Sequence, residues 1–325
     1  MLFVTNRFPT QSIRTRKGRR FTFDLNNNAP SNSVFYCEKG QGEHHVEITS
    51  KELLKRVRES NYRQILIFIH GFNNLPEDVF TMTSELQSLC DQAKANETLV
   101  IPLIWPCDND RGVVQDYWDD QKSADQSGFS FARVLERFLD WRASPDNEPD
   151  VDPCLKRINV LAHSMGNRVL RQTLQNWNRY DLASGVPLLF RNTFMVAADV
   201  VNETLDEGET GALICHASRN VVVYYASDDL ALRASKAANL KNKVASRRLG
   251  HTGPENIDRT PRNVFQVDCD DVNTRYDKPT GHDYFRFGAR KGTASLVFKH
   301  IFQCIEEGRV FPDDPDQRSV IIANR

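Results

Sequence analysis

The sequence predicts an α/β protein: a mostly parallel central sheet with helices on both faces and an antiparallel β extension at the N-terminus. Three observations carry this. From about Ile65 to Cys304, short apolar runs alternate with helical stretches, the pattern of repeated βαβ units. The runs Ile65-Leu66-Ile67-Phe68-Ile69 and Val221-Val222-Val223-Tyr224-Tyr225-Ala226 are continuous rather than alternating, as strands covered on both faces require. Residues able to do chemistry follow the C-terminal ends of these runs, which is where open parallel sheets hold ligands.

The elements follow in order. Residues 2–49 hold short runs, Leu2–Thr5, Phe21–Leu25, Val34–Cys37 and His45–Ile48, that suit an antiparallel opening to the sheet. Ser50 is placed to cap a helix beginning Lys51-Glu52-Leu53-Leu54. The strand Ile65–Ile69 is followed by a helix from Pro76 to Ala93, with proline in the first turn, where it lacks no needed donor. Thr98–Trp105 reads as a strand, although Pro102 removes a ladder donor from it. A long amphipathic helix runs from about Gln121 to Trp141. A strand at Ile158–Ala162 leads into a helix reaching about Trp177. Phe194–Asp199 and Val221–Ala226 are the next strands, a helix opens at Leu230, Val264–Val267 is a short strand, and Thr293–Cys304 is the final helix. No low-complexity linker or repeat interrupts this alternation, so residues 61–310 read as one domain, 1–60 as a β-rich extension of its sheet, and 311–325 as a tail.

The stretch Ile158-Asn159-Val160-Leu161-Ala162-His163-Ser164-Met165-Gly166 is an apolar strand running into a serine flanked two residues away by small side chains. This is the form of a nucleophile elbow, a strained strand-to-helix turn that lifts a serine hydroxyl clear of its surroundings. Ala162 stands where glycine is usual. Taken alone the stretch is equally a helix capped by Ser164. Its partners decide. His70-Gly71-Phe72 follows the Ile65 strand, where such a pair shapes the loop giving one oxyanion-hole N–H. Phe72 is then one backbone donor and Met165, after the serine, the other. Ser227-Asp228-Asp229 ends the Val221 strand, and Asp229, at the start of the next helix, is the preferred acid; Asp228 and Asp199, at the end of the preceding strand, remain open, each equally readable as a helix cap. His282, in Gly281-His282-Asp283-Tyr284-Phe285, lies on a loop after the Val264 strand; His251 is the reserve. The order Ser164…Asp229…His282 is that of α/β-hydrolases, not of the chymotrypsin or subtilisin families. Trp105, Tyr117 and Trp118 either line an acyl pocket or pack as aromatic core.

His70–Asn74, Trp105-Pro106, Tyr117–Asp120, Ala162–Arg168, Tyr225–Leu232 and Gly281–Phe285 together resemble a bacterial subfamily of uncharacterised α/β-hydrolases related to lipases and esterases. The likeness spans roughly residues 60 to 305 and extends weakly to Val4-Thr5-Asn6-Arg7. It implies the α/β-hydrolase fold and a Ser-Asp-His triad, and supplies no substrate.

Composition bounds the rest. A formal net charge of −1 gives no electrostatic reason to expect nucleic acid or an anionic membrane. The basic runs Arg14–Arg20 and Ser246-Arg247-Arg248 are local, and the first reads as a solvated loop. No apolar run is long enough for a membrane span. The seven cysteines show no C-x-x-C spacing; Cys37, Cys90, Cys154, Cys215 and Cys304 read as small buried apolar residues, and a reducing compartment, hence the cytoplasm, is expected. No cluster has metal-ligand spacing, and Asp268-Cys269-Asp270-Asp271 lacks the pattern of a calcium loop. The expectation is a serine hydrolase, needing no cofactor or metal, that cleaves small carboxylic esters or thioesters. The alternatives are an amidase or acyltransferase on the same fold and a non-catalytic binding or scaffold protein. No long apolar insertion suits a lid for long-chain lipids.

Overall fold

A computed structural model describes every residue except 43, 109–111, 144–153, 181–184, 241–246, 291, 313, 315 and 324–325. Ser246 and parts of the C-terminal tail therefore lie outside the described residues. The elements in chain order are β1 (Leu2–Arg7), β2 (Arg20–Phe21), β3 (Pro30–Glu38), β4 (His45–Ile48), α1 (Ser50–Glu59), β5 (Gln64–Ile69), α2 (Pro76–Ala93), β6 (Thr98–Ile104), α3 (Val113–Ala143), β7 (Arg157–His163), α4 (Gly166–Tyr180), β8 (Phe190–Val196), α5 (Ala212–Ala217), β9 (Ser218–Tyr225), α6 (Leu230–Leu240), α7 (Leu249–Thr252), β10 (Val264–Asp268), α8 (Asn273–Tyr276), α9 (Leu296–Glu307) and β11 (Ser319–Ile321).

They form an 11-stranded sheet in the order β11-β10-β9-β8-β7-β5-β6-β1-β3-β4-β2. From β11 to β1 neighbouring strands run parallel, and β3, β4 and β2 pair antiparallel. This is the α/β-hydrolase architecture expected. The continuous apolar runs divide their side chains between two cores. Leu66, Phe68, Val222 and Tyr224 pack on one face with Phe80 of α2 and Ile301 of α9. Ile69, Val221 and Val223 pack on the other with Phe131 of α3 and Leu174 of α4. A strand with period-two side chains must be apolar at every position when both faces are covered.

The strand order reverses between β5 and β7, because β6 follows β5 on one side while β7 returns on the other. The C-terminal ends of these two strands lie side by side, with Ile69 opposite Ala162. Such a reversal leaves a crevice at the strand ends.

Several boundaries differ from the sequence reading. The cap of α1 is Thr49, whose side chain accepts the Glu52 N–H; Ser50 is already helical. Pro102 lies inside β6 opposite Phe68, and β1 joins this strand only at Leu103 and Ile104, beyond the missing donor. β2 is shorter than Phe21–Leu25, with Phe23 forming only an isolated bridge to Pro9. α3 begins at Val113, earlier than Gln121, because Asp116, Tyr117 and Asp120 are buried polar or aromatic residues that break its apolar stripe. α9 begins at Leu296 with Ser295 as cap, later than Thr293. β8 ends three residues before Asp199. The tail contributes β11, which pairs parallel with β10.

Candidate active site

β7 ends at His163, and Ser164 takes φ 53°, a left-handed conformation costing a non-glycine residue about 1 kcal/mol or more. The turn is held on all sides. The Ser164 N–H donates to Val196 O at 2.9 Å, and its carbonyl accepts the N–H groups of Asn167 and Asp199, each at 3.1 Å. Gly166 is dictated by proximity: a Cβ there would stand 2.5 Å from Ile69 O and 2.6 Å from His70 O. A Cβ on Gly71 would stand 2.9 Å from Ser164 Cβ. Ala162, fully buried between Ile69 and Met195 on the neighbouring strands, is small enough for the usual glycine position.

His282 Nδ1 donates to Asp229 Oδ2 at 2.6 Å, a short charge-assisted bond. The acid is completely buried. Burial opposes charging of the His282 ring. The Asp229 carboxylate, acting by charge and hydrogen bond and joined by Asp283 and Asp199, outweighs it and raises His282 above the ordinary histidine range. The loop carrying His282 is fixed by Asp277, whose Oδ2 accepts the N–H groups of His282 at 2.7 Å and Asp283 at 2.8 Å. Gly281, at φ 64°, leaves no room for a side chain against Asn273.

The opposite wall is the loop after β5. His70 is fully buried and stacks on Trp105 with ring centres 5.1 Å apart. Its Nε2 accepts the Trp105 N–H at 3.2 Å, so Nδ1 carries the proton given to Gly71 O at 2.9 Å. Burial lowers its pKa to about 4, so the ring is neutral at physiological pH. Asn74 Nδ2 holds Gly71 O at 3.1 Å and Phe72 O at 2.8 Å. Among the described residues, the N–H groups of Phe72 and Met165 donate to no protein acceptor.

Between these walls lies a cavity of about 310 Å³. Ser164, His163, His282, Gly71 and Phe72 line it, together with Met82, Leu232, Asn74 and the hydrogen-bonded Tyr117, Asp199 and Ser235. Asp199 does not meet His282. Its carboxylate accepts the Tyr117 hydroxyl at 2.8 Å and the Ser235 hydroxyl at 2.6 Å, and pairs with buried Arg248 at 3.2 Å. Asp228 accepts the Asn273 side-chain amide instead. His251 sits on α7 and does not line the cavity, and burial lowers its pKa. Trp105 is core, Tyr117 is cavity wall, and Trp118 packs partly buried against the core. Among the described residues no group of three His, Cys, Asp or Glu side chains is placed to hold a metal ion.

Sequence reasoning missed His163 and Asp120. His163 is wedged between the rings of His282 and Phe285, with centres 4.8 and 5.0 Å away. Its Nε2–H donates to His282 O at 3.2 Å; burial, and next the charge of His282, hold its pKa well below the usual value. Its place immediately before Ser164 is the one signal available in the sequence. Asp120 was visible only as the end of the Tyr117–Asp120 motif.

A parallel sheet with a serine elbow at its reversal, an acid after β9 and a histidine after β10 defines the class of α/β hydrolases. Within that class, residues 46–287 match the family described as alpha/beta hydrolase of unknown function (DUF900), and the chain belongs to it. No curated protein matches the chain.

Proposed function

We propose that the chain is a serine hydrolase that cleaves small carboxylic esters or thioesters through an acyl-enzyme. The observation that carries this is the 2.6 Å bond from His282 to buried Asp229 in the same cavity as Ser164, a serine held at φ 53°. Ser164 Oγ attacks the acyl carbonyl while its proton passes to His282 Nε2, the ring nitrogen that Asp229 leaves available. Asp229 stabilises the imidazolium and holds the tautomer. The tetrahedral oxyanion is received by the unengaged N–H groups of Phe72 and Met165, each worth about 3 kcal/mol where such donors have been removed. Collapse expels the alkoxide or thiolate, which takes the proton. Water, giving a proton to His282, then attacks the acyl-enzyme; as the bond to Ser164 Oγ breaks, His282 returns that proton to it, releasing the carboxylic acid and free Ser164. A cavity of about 310 Å³ with the Tyr117–Asp199–Ser235 wall favours a short, polar-tolerant acyl group over a long alkyl chain.

The test is labelling of the purified chain with a fluorophosphonate probe, beside Ser164→Ala and His282→Ala. Labelling of wild type that is lost in both variants is expected. A folded wild type that does not label would sink the hydrolase reading.

A further inference from the structure

We propose that Asp120 is a positioning residue for the oxyanion loop, clamping it to the N-terminal β segment, and that its ionisation is required for turnover. This rests on the serine-hydrolase reading above. Asp120 is fully buried on α3. Its Oδ2 accepts the N–H of Asn73, the residue after Phe72, at 3.1 Å. Its Oδ1 accepts the Asp108 N–H at 3.1 Å and the Asn28 side-chain amide at 2.9 Å. One carboxylate thus joins the loop after β5, the segment after β6 and the N-terminal extension.

The geometry bears on where the Phe72 N–H points. In a trans peptide the N–H lies opposite the preceding carbonyl. Gly71 O is drawn inward by His70 Nδ1 and Asn74 Nδ2, so the Phe72 N–H faces away from them. The next peptide is fixed by Asp120 through Asn73, which is itself held at φ 61°. Release of Asn73 leaves that left-handed residue free to relax and take Phe72 with it.

Three N–H donors converging on two oxygens need an acceptor-only group. A protonated acid turns one oxygen into a donor facing an N–H. Burial raises Asp120 to about 7, with the Asp108 charge adding to it and the Asn28, Asn73 and Asp108 N–H groups opposing. The other titratable and charged groups facing this corner are Arg7 of β1, Asp24, the Cys107 thiol and neutral His70. Arg7 is fully buried and donates to Cys107 O at 2.6 Å, Asp24 O at 3.1 Å and Leu25 O at 3.2 Å, tying the same corner to the N-terminal segment.

The experiment is the pH profile of chromogenic ester hydrolysis by the full chain, for wild type, Asp120→Asn and Asn28→Ala. Both His282 and Asp120 must lose a proton, so the acid limb of wild-type log kcat/KM approaches a slope of two. Asp120→Asn is expected to lower kcat roughly tenfold or more with KM little changed, as for an interaction felt in the transition state, and to leave a limb of slope one. Asn28→Ala removes a donor that holds Asp120 down, so its acid limb moves to higher pH. The proposal is overturned if Asp120→Asn keeps wild-type kcat and a two-proton limb, or if Asn28→Ala leaves the limb in place. Should Asp120→Asn fail to fold, Asn28→Ala decides alone. Wild type that neither labels nor turns over overturns the hydrolase reading itself; active wild type with unchanged variants overturns only the clamp.

Discussion

Asp229 answers to two descriptions at once. Its Oδ1 accepts the Leu232 N–H at 2.9 Å, capping α6, and its Oδ2 takes His282 Nδ1 at 2.6 Å. The cap explains why it stands at a helix start, and the free second oxygen explains why it faces the histidine. Asp228, one residue earlier, turns to Asn273, and this division was not readable from two adjacent aspartates. If Asp229 is the acid of the proposed triad, Asp229→Asn is expected to lower kcat by about 10⁴-fold, because the amide favours the wrong tautomer. The pH effect has a definite sign. On the proposed serine-hydrolase reading His282 is the base and must be neutral; Asp229 raises its pKa, so wild-type kcat/KM is expected to fall as pH drops through a value above the ordinary histidine range. Removing that charge moves the His282 limb to lower pH. An unshifted limb in residual turnover would show that Asp229 does not govern His282. The order of Ser164, Asp229 and His282 along the chain was what singled them out in the sequence, and the structure brings Ser164 and His282 to one cavity. Asp120 and His163 were not singled out, because their partners are backbone groups of distant segments.

At the scale of elements, the helices and strands most faithful to the sequence are those whose apolar period is undisturbed, such as α2, which runs from Pro76 to Ala93 as expected. α3 was read short because its first turns spend buried positions on Asp116, Tyr117 and Asp120. The register of the central strands has a device with no sequence signal. Asn159, Asn192 and Asn220 form an amide ladder across β7, β8 and β9, with successive bonds of 2.8 Å. A one-residue slip would leave the buried Asn159 and Asn192 amides unpaired. One close approach of elements is at the elbow, where α4 starts against the end of β5. Gly166→Ala must push the Ile69 and His70 carbonyls apart, and a loss of about 2–3 kcal/mol is expected, read from the urea midpoint at unchanged m-value. Wild-type stability in that variant would mean the elbow has slack that these distances deny.

For the whole molecule, alternation of strands and helices was enough to place the sheet, the helices on both its faces and the end that carries the cavity. The short N-terminal runs announced an antiparallel extension of that sheet, as found, but not which strand joins it to the parallel part. β1 is the pivot: it runs parallel beside β6 and antiparallel beside β3, so the extension is continuous with the main sheet. Short alternating runs announce hairpins, whereas a strand that pairs across 99 residues, as Thr5 does through its hydroxyl to Ile104 O, leaves no local trace. Among the described residues no helix is long and apolar enough to cross a membrane.

All seven cysteines are buried and unpaired, on β3, α2, α5 and α9, after β6 and β10, and before β7. Burial pushes the Cys90, Cys215 and Cys304 thiols up to about 12, so the native chain offers an alkylating reagent neither access nor thiolate there. Each sulfur therefore reacts only when its own part of the molecule opens. Alkylation followed by mass spectrometry should give a separate opening rate for each thiol, with Cys37 beside the N-terminal hairpins distinguishable from Cys304 on the last helix. Rapid modification of every thiol in native buffer would contradict the packing. The chain thus carries seven internal timers, spread over its breadth, that record which layer lets go first.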